Sequence, residues 1–106
     1  MRVLLDECLP RRLKIDLAEH EVRTAQEEGW AGLKNGALLQ AAAGRFDVLL
    51  TVDRNIEFQQ NLQGLSIGVL AMVVPSDRLI GIRPLMAQVR RSLSKVRPGQ
   101  VLRLGG

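Results

Sequence analysis

Aromatic side chains are nearly missing from this chain: among 106 residues there are two phenylalanines, one tryptophan and no tyrosine. A core must therefore come from Leu, Val, Ile and Ala, and the stacking platforms that read single-stranded bases are scarce. The single cysteine, Cys8, excludes an internal disulfide and fits a reducing cytoplasm. The single histidine, His20, begins a strand, so a zinc centre of histidines and thiols has no parts at one rim and acyl-transfer chemistry has no base. No glycine-rich phosphate loop is present. No apolar run approaches the roughly 18 residues of a membrane span, and no apolar leader precedes the first strand. The expectation is one cytoplasmic domain over residues 1–106, without membrane attachment.

Acids are also missing from one end. Residues 78–106 carry seven Lys/Arg and no Asp/Glu, whereas residues 1–77 carry eight Lys/Arg and all eleven acids. An acidic region beside a wholly basic tail suits a protein that chelates a cation and meets a polyanion. The simpler use of such a tail is a solvated face that keeps the protein soluble.

What is present is a pair of short apolar runs that each end in a carboxylate. Arg2-Val3-Leu4-Leu5 leads into Asp6-Glu7, and Phe46 to Val52 leads into Asp53. Runs of this length and composition read as buried parallel strands. Ligand sites of open α/β sheets lie beyond the carboxyl ends of strands, where strand order reverses. If the two strands are neighbours, Asp6 and Asp53 meet on one rim at about the strand spacing of 5 Å. Two acids that close call for a cation or a proton between them. A divalent metal held by Asp6 and Asp53 is the expectation, and each also has the simpler use of capping a helix.

The remaining elements alternate. Pro10 sits in the first turn of a helix whose stripe is Leu9, Leu13, Leu17 and Ala18. His20–Thr24 reads as a second strand. Asn35 opens a helix with Ala37, Leu38, Ala41 and Ala42 inward, ended by Gly44. Asp53 or Asn55 caps a third helix to about Gln63, and Ile67–Val74 reads as a fourth strand. Pro84 opens the last helix, with Leu85, Met86, Val89, Leu93 and Val96 inward. Val101–Leu104 reads as a fifth strand or a loose tail. Strand–helix alternation predicts a small three-layer α/β/α sandwich, mainly parallel, in strand order 2-1-3-4.

Other residues join the candidate site. Glu7 adjoins Asp6, and Asn55 offers an amide oxygen to a metal or to its water. Glu27 and Glu28 follow the second strand, either as a third carboxylate or as surface charge. Asp47 starts the third strand and belongs to the opposite rim. Cys8 near the rim reads as a small apolar side chain, because no histidine can activate it. In the basic tail Arg83 and Arg90 share one helix face, while Arg91 and Lys95 share another. All four are candidates to meet phosphates without reading bases.

Three stretches carry a family resemblance: VLLDECLPRRL at residues 3–13, HEVRTAQEEGWAGLKNGALLQAA at 20–42 and FDVLLTVDRNIEFQQNL at 46–62. Their strand-end acids, with Gly-Trp-Ala-Gly and a helix between them, resemble the PIN-domain superfamily, in particular its short, compact PIN-like branch. The resemblance implies a ribonuclease core dependent on Mg²⁺ or Mn²⁺. It further implies RNA as substrate and, as in many PIN toxins of bacterial toxin–antitoxin pairs, a small antitoxin protein as partner. A homodimer is compatible with it. Asp6 matches the first family acid and Asp53 the acid after the third strand. Asn55 falls where a second acid is common, Asn35 where relatives often place another carboxylate, and Cys8 where the branch commonly has asparagine. With two clear acids, metal binding should be weak.

Two other readings are weighed against these residues. One is an inactive PIN-like module that binds nucleic acid or a protein without cutting. The other is a phospho-acceptor receiver, which needs Ser or Thr after the fourth strand and Lys after the fifth. Here the fourth strand ends Met72-Val73-Val74-Pro75, and no such Lys follows.

Overall fold

The computed structural model describes residues 1–33, 35–52, 64–74 and 79–105. Its elements follow in the order β1 (Arg2–Leu5), α1 (Leu13–Asp16), β2 (Glu21–Thr24), α2 (Asn35–Ala42), β3 (Val48–Val52), β4 (Gly68–Val73), α3 (Leu79–Ile82), α4 (Met86–Leu93) and β5 (Val101–Gly105). A 3₁₀ turn, Arg83–Leu85, joins α3 to α4. The helix expected between Asp53 and Gln63 lies outside the described residues.

The five strands form one sheet in the order β2-β1-β3-β4-β5, and every neighbouring pair is parallel. The predicted order 2-1-3-4 is the observed one, and the tail is a true fifth strand beside β4. From β1 the chain first steps outward to β2, then returns to the other side of β1 as β3. Strand order therefore reverses between β1 and β3, the position where open α/β sheets bind ligands.

Period two divides the strands between two cores. Val3, Leu5, Val48, Leu50, Val52, Leu70 and Met72 pack on one face with Leu13 and Leu17 of α1 and Met86, Val89 and Leu93 of α4. Leu4, Leu49 and Val69 pack on the other face with Leu38, Leu39 and Ala42 of α2 and with Phe46. Helices thus cover both faces, as the three-layer reading requires. Fully burying one such aliphatic side chain contributes about 1.5–3 kcal/mol, so even this nearly aromatic-free sheet has two sources of cohesion.

Three helix expectations change. The first helix is a single turn: Pro10 precedes it in a reverse turn, and Leu17 leaves helical geometry at φ −120°, ψ 30°. Ala18 is therefore exposed instead of joining the stripe, and Ile15 points outward. In α2 the buried face is turned by one position, with Leu39 inside and Ala37 outside. Burying the larger isobutyl group removes more apolar surface from water. The last helix begins with the 3₁₀ turn containing Pro84, preceded by α3.

Gly68 marks where the end of α4 meets the sheet. A Cβ there would lie 2.8 Å from the carbonyl oxygen of Arg97 and 2.8 Å from Val96 Cγ2. At the other end of β4, a Cβ on Gly105 would meet Val73 O and the Leu85 side chain. The last helical segment thus runs from the carboxyl rim of the sheet, near Leu85, down to the amino rim, near Val96 and Arg97.

Candidate functional site

The β1 backbone continues its ladder one residue past the strand, because Asp6 N donates to Leu50 O at 3.0 Å. This places Asp6 beside β3 at the reversal of strand order. Its carboxylate is fixed at both oxygens. Oδ1 accepts the Glu7 N–H at 2.7 Å, and Oδ2 accepts the Thr51 hydroxyl at 2.6 Å. Thr51 is 1% exposed and shares its sheet face with Leu49. A carboxylate has about four lone-pair positions, and among the described residues two of those on Asp6 take no donor.

Glu7 holds the adjacent loop. Its Oε1 accepts the Gly32 N–H at 3.0 Å, and its backbone carbonyl accepts Gln26 Nε2 at 3.1 Å. Gly32 makes this turn with φ +88°, a conformation that an L side chain resists. The Gly-Trp-Ala-Gly segment is thereby fastened to the residue next to Asp6. Asp53 and Asn55, the other candidates of the site, lie outside the described residues. Among the described residues no three His, Cys, Asp or Glu side chains gather as a metal-binding group.

Glu27 and Glu28 serve the loop itself. Thr24 Oγ1 accepts the Glu27 N–H at 3.1 Å while Glu27 Oε1 accepts the Thr24 N–H at 2.8 Å, a reciprocal capping box around one helical turn. Lys14 of α1 reaches the same oxygen at 2.5 Å. The Lys14 contact, then the Thr24 amide, hold the Glu27 carboxyl down at about 2. Glu28 is turned under the loop, its side chain only 6% exposed, between Arg23 at 2.5 Å and Arg45 at 3.2 Å. As third carboxylates for the Asp6 rim, both are spoken for by cations elsewhere.

The two described aromatic residues are likewise structural. Trp30 meets Phe46 edge-on at 6.0 Å, and the Arg45 guanidinium covers the Trp30 ring at 5.3 Å. Phe46 is core, as its sequence position suggested. Cys8 is half-buried and packs on the α1 face of the core. Asp47 sits at the opposite rim as expected, where its Oδ2 accepts the Arg2 N–H at 2.7 Å.

The basic residues of the last helical segment divide. Arg83 pairs with Asp16 at 3.3 Å, and Arg90 donates to the Asp16 carbonyl at 3.2 Å, so both tie this segment to the end of α1. Arg91 and Lys95 are exposed. They lie on the stretch that descends toward the amino rim, away from Asp6.

Sequence reasoning passed over Thr51. Its signal was the one hydroxyl in the run Val48 to Val52, at the register position directly after the Leu5–Leu50 pair. Among the described residues no helix is long and apolar enough to cross a membrane. No protein-family model matches the chain, and neither the curated proteins nor the solved structures give a match.

Proposed function

We propose that the protein is a metal-dependent ribonuclease of PIN-like type, the toxin member of a toxin–antitoxin pair. The observation that carries the reading is the Asp6 carboxylate: it stands at the reversal between β1 and β3, fixed by Thr51 and the Glu7 amide, with no further partner among the described residues. Mg²⁺ uses one or two carboxylates and keeps several waters, so Asp6 fits the first of those places and Asp53 is assigned the second. Such an ion, Mg²⁺ or Mn²⁺, supplies an activated water for in-line attack on a phosphodiester and charge stabilisation for the leaving oxygen. Asp6 would hold the ion, Thr51 would hold Asp6, and Glu7 would fasten the loop beside them.

The test is cleavage of RNA with Mg²⁺ or Mn²⁺ supplied. Asp6→Asn and Asp53→Asn should each abolish it while circular dichroism and the thermal transition stay native-like, and chelator should abolish it in the wild type. Cleavage that survives either substitution or the chelator removes the metal site from the mechanism. A wild type that binds RNA without cutting it is the inactive module instead.

A further inference from the structure

Most cations of the described chain have internal partners. Arg2 faces Asp47, Lys14 faces Glu27, Arg23 and Arg45 share Glu28, and Arg83 and Arg90 share Asp16. Among the described residues, the side chains of Arg11, Arg12, Arg91, Lys95 and Arg97 have no hydrogen-bond or ion-pair partner. The last three lie on the stretch that ends at the amino rim beside Gly68. Of these five, Arg11 and Arg12 lie instead on the turn that leaves β1 directly after Asp6.

Their position follows from the turn that leaves β1. Leu9 N donates to Asp6 O at 3.0 Å, and Leu13 N donates to Pro10 O at 3.1 Å, so residues 6–13 double back over the strand end before α1 descends. Both arginines are exposed on this turn. Arg11 lines a cleft of about 260 Å³ together with Leu9, Thr24, Gln26 and Glu27. Gln26 in turn holds the Glu7 carbonyl, so the cleft adjoins the Asp6-Glu7 corner. Glu27, the one acid among the described residues of the cleft, is paired with Lys14.

We infer that Arg11 and Arg12 bind the phosphodiester backbone of single-stranded RNA and hold it against the Asp6 rim, in place of the basic helix suggested by charge counting. This rests on the ribonuclease reading above. A guanidinium meets phosphate oxygens with two parallel donors, and two of them side by side can span successive phosphates. The scarcity of stacking aromatics makes such contacts the main source of affinity, so binding should be sequence-tolerant and strongly dependent on salt.

The experiment measures binding of a labelled oligouridylate in the Asp6→Asn background, and cleavage in the Asp6-containing protein, for three variants. Arg11→Gln with Arg12→Gln should weaken binding about tenfold or more and flatten the salt slope by about 1.4, roughly 0.7 for each single-strand phosphate that is no longer neutralised. KM for RNA should rise similarly. Arg11→Lys with Arg12→Lys should recover part of the loss, because the charge remains and the fork does not. Arg91→Gln with Lys95→Gln and Arg97→Gln should bind like the parent. Both sets are exposed and have no side-chain partners among the described residues, so the thermal transition should not move. If RNA is bound and cut but the Arg11/Arg12 glutamine variant behaves as wild type, or if the loss appears in the Arg91 set instead, the inference is overturned while the ribonuclease reading stands. Retained RNA affinity in the glutamine pair would leave those arginines to an acidic protein partner or to solvent. A wild type that neither binds nor cuts RNA overturns both.

Discussion

The hydroxyl of Thr51 on β3 donates 2.6 Å to the carboxylate of Asp6 just past β1, joining the two strands at the point where sheet order reverses. The bond is made on one sheet face by a side chain that is 1% exposed. It leaves the Asp6 carboxylate with one fixed orientation. Thr51→Val keeps the shape and removes the donor. A typical hydrogen bond to a charged group contributes about 1.5–3 kcal/mol, and half-buried Asp6 regains part of that from water, so a loss of about 1 kcal/mol in urea unfolding is expected. If Asp6 is a metal ligand, loss of its orienting partner should also weaken the metal dependence of cleavage about 10- to 100-fold. A variant with unchanged stability and unchanged metal dependence would show that this bond orients nothing.

The Glu27 carboxyl titrates at about 2 in the folded chain against 4.5 as the ordinary value, first through Lys14 and then through the Thr24 amide. A depressed folded value favours the native state above the unfolded value. The contribution is therefore complete above about pH 5 and is lost as pH falls from there toward about 2. Glu27→Gln keeps an oxygen for Thr24 and loses the charge. Wild type should exceed the variant in unfolding free energy at pH 7, and the gap should close by pH 2. A gap that does not change with pH would assign the effect to packing.

Gly68 is tested by a single methyl group. Its Cβ would press on the Arg97 carbonyl and on Val96, each at 2.8 Å. Backbone cannot yield as a side-chain tip does, so Gly68→Ala should destabilise by about 1–3 kcal/mol through overpacking. Gly44 has open space around its Cβ but a φ of +86°, so Gly44→Ala should be penalised through the backbone alone. Equal stability of Gly68→Ala and wild type would mean that the chain after α4 is not seated on β4.

Much of the architecture was legible along the chain. Period two in Val3-Leu4-Leu5 and Val48-Leu49-Leu50 is a local property of side-chain direction, and the right-handed crossover rule turns alternating elements into one strand order. The rim positions of Asp6 and Asp47 followed from which end of a strand each occupies. Helix faces were less legible. Whether Ala37 or Leu39 is buried depends on how α2 rolls on the sheet, and whether Ala18 continues a stripe depends on where the chain must turn to begin β2.

Charge was the least legible property, because a sequence shows which residues are charged but not which are already paired. Arg83 and Arg90 read as phosphate ligands until the end of α1 brings Asp16 to them. Glu27 and Glu28 read as spare carboxylates until Lys14 and Arg45 arrive from segments farther off in the chain, and Arg23 of the preceding strand folds onto Glu28. Local order, set by propensity and periodicity, was determined by the sequence read by itself. The pairing of charges across α1, the 24–32 loop and the last helix was decided only by tertiary structure, because Coulomb and hydrogen-bond partners are fixed by distance in space and not by separation along the chain.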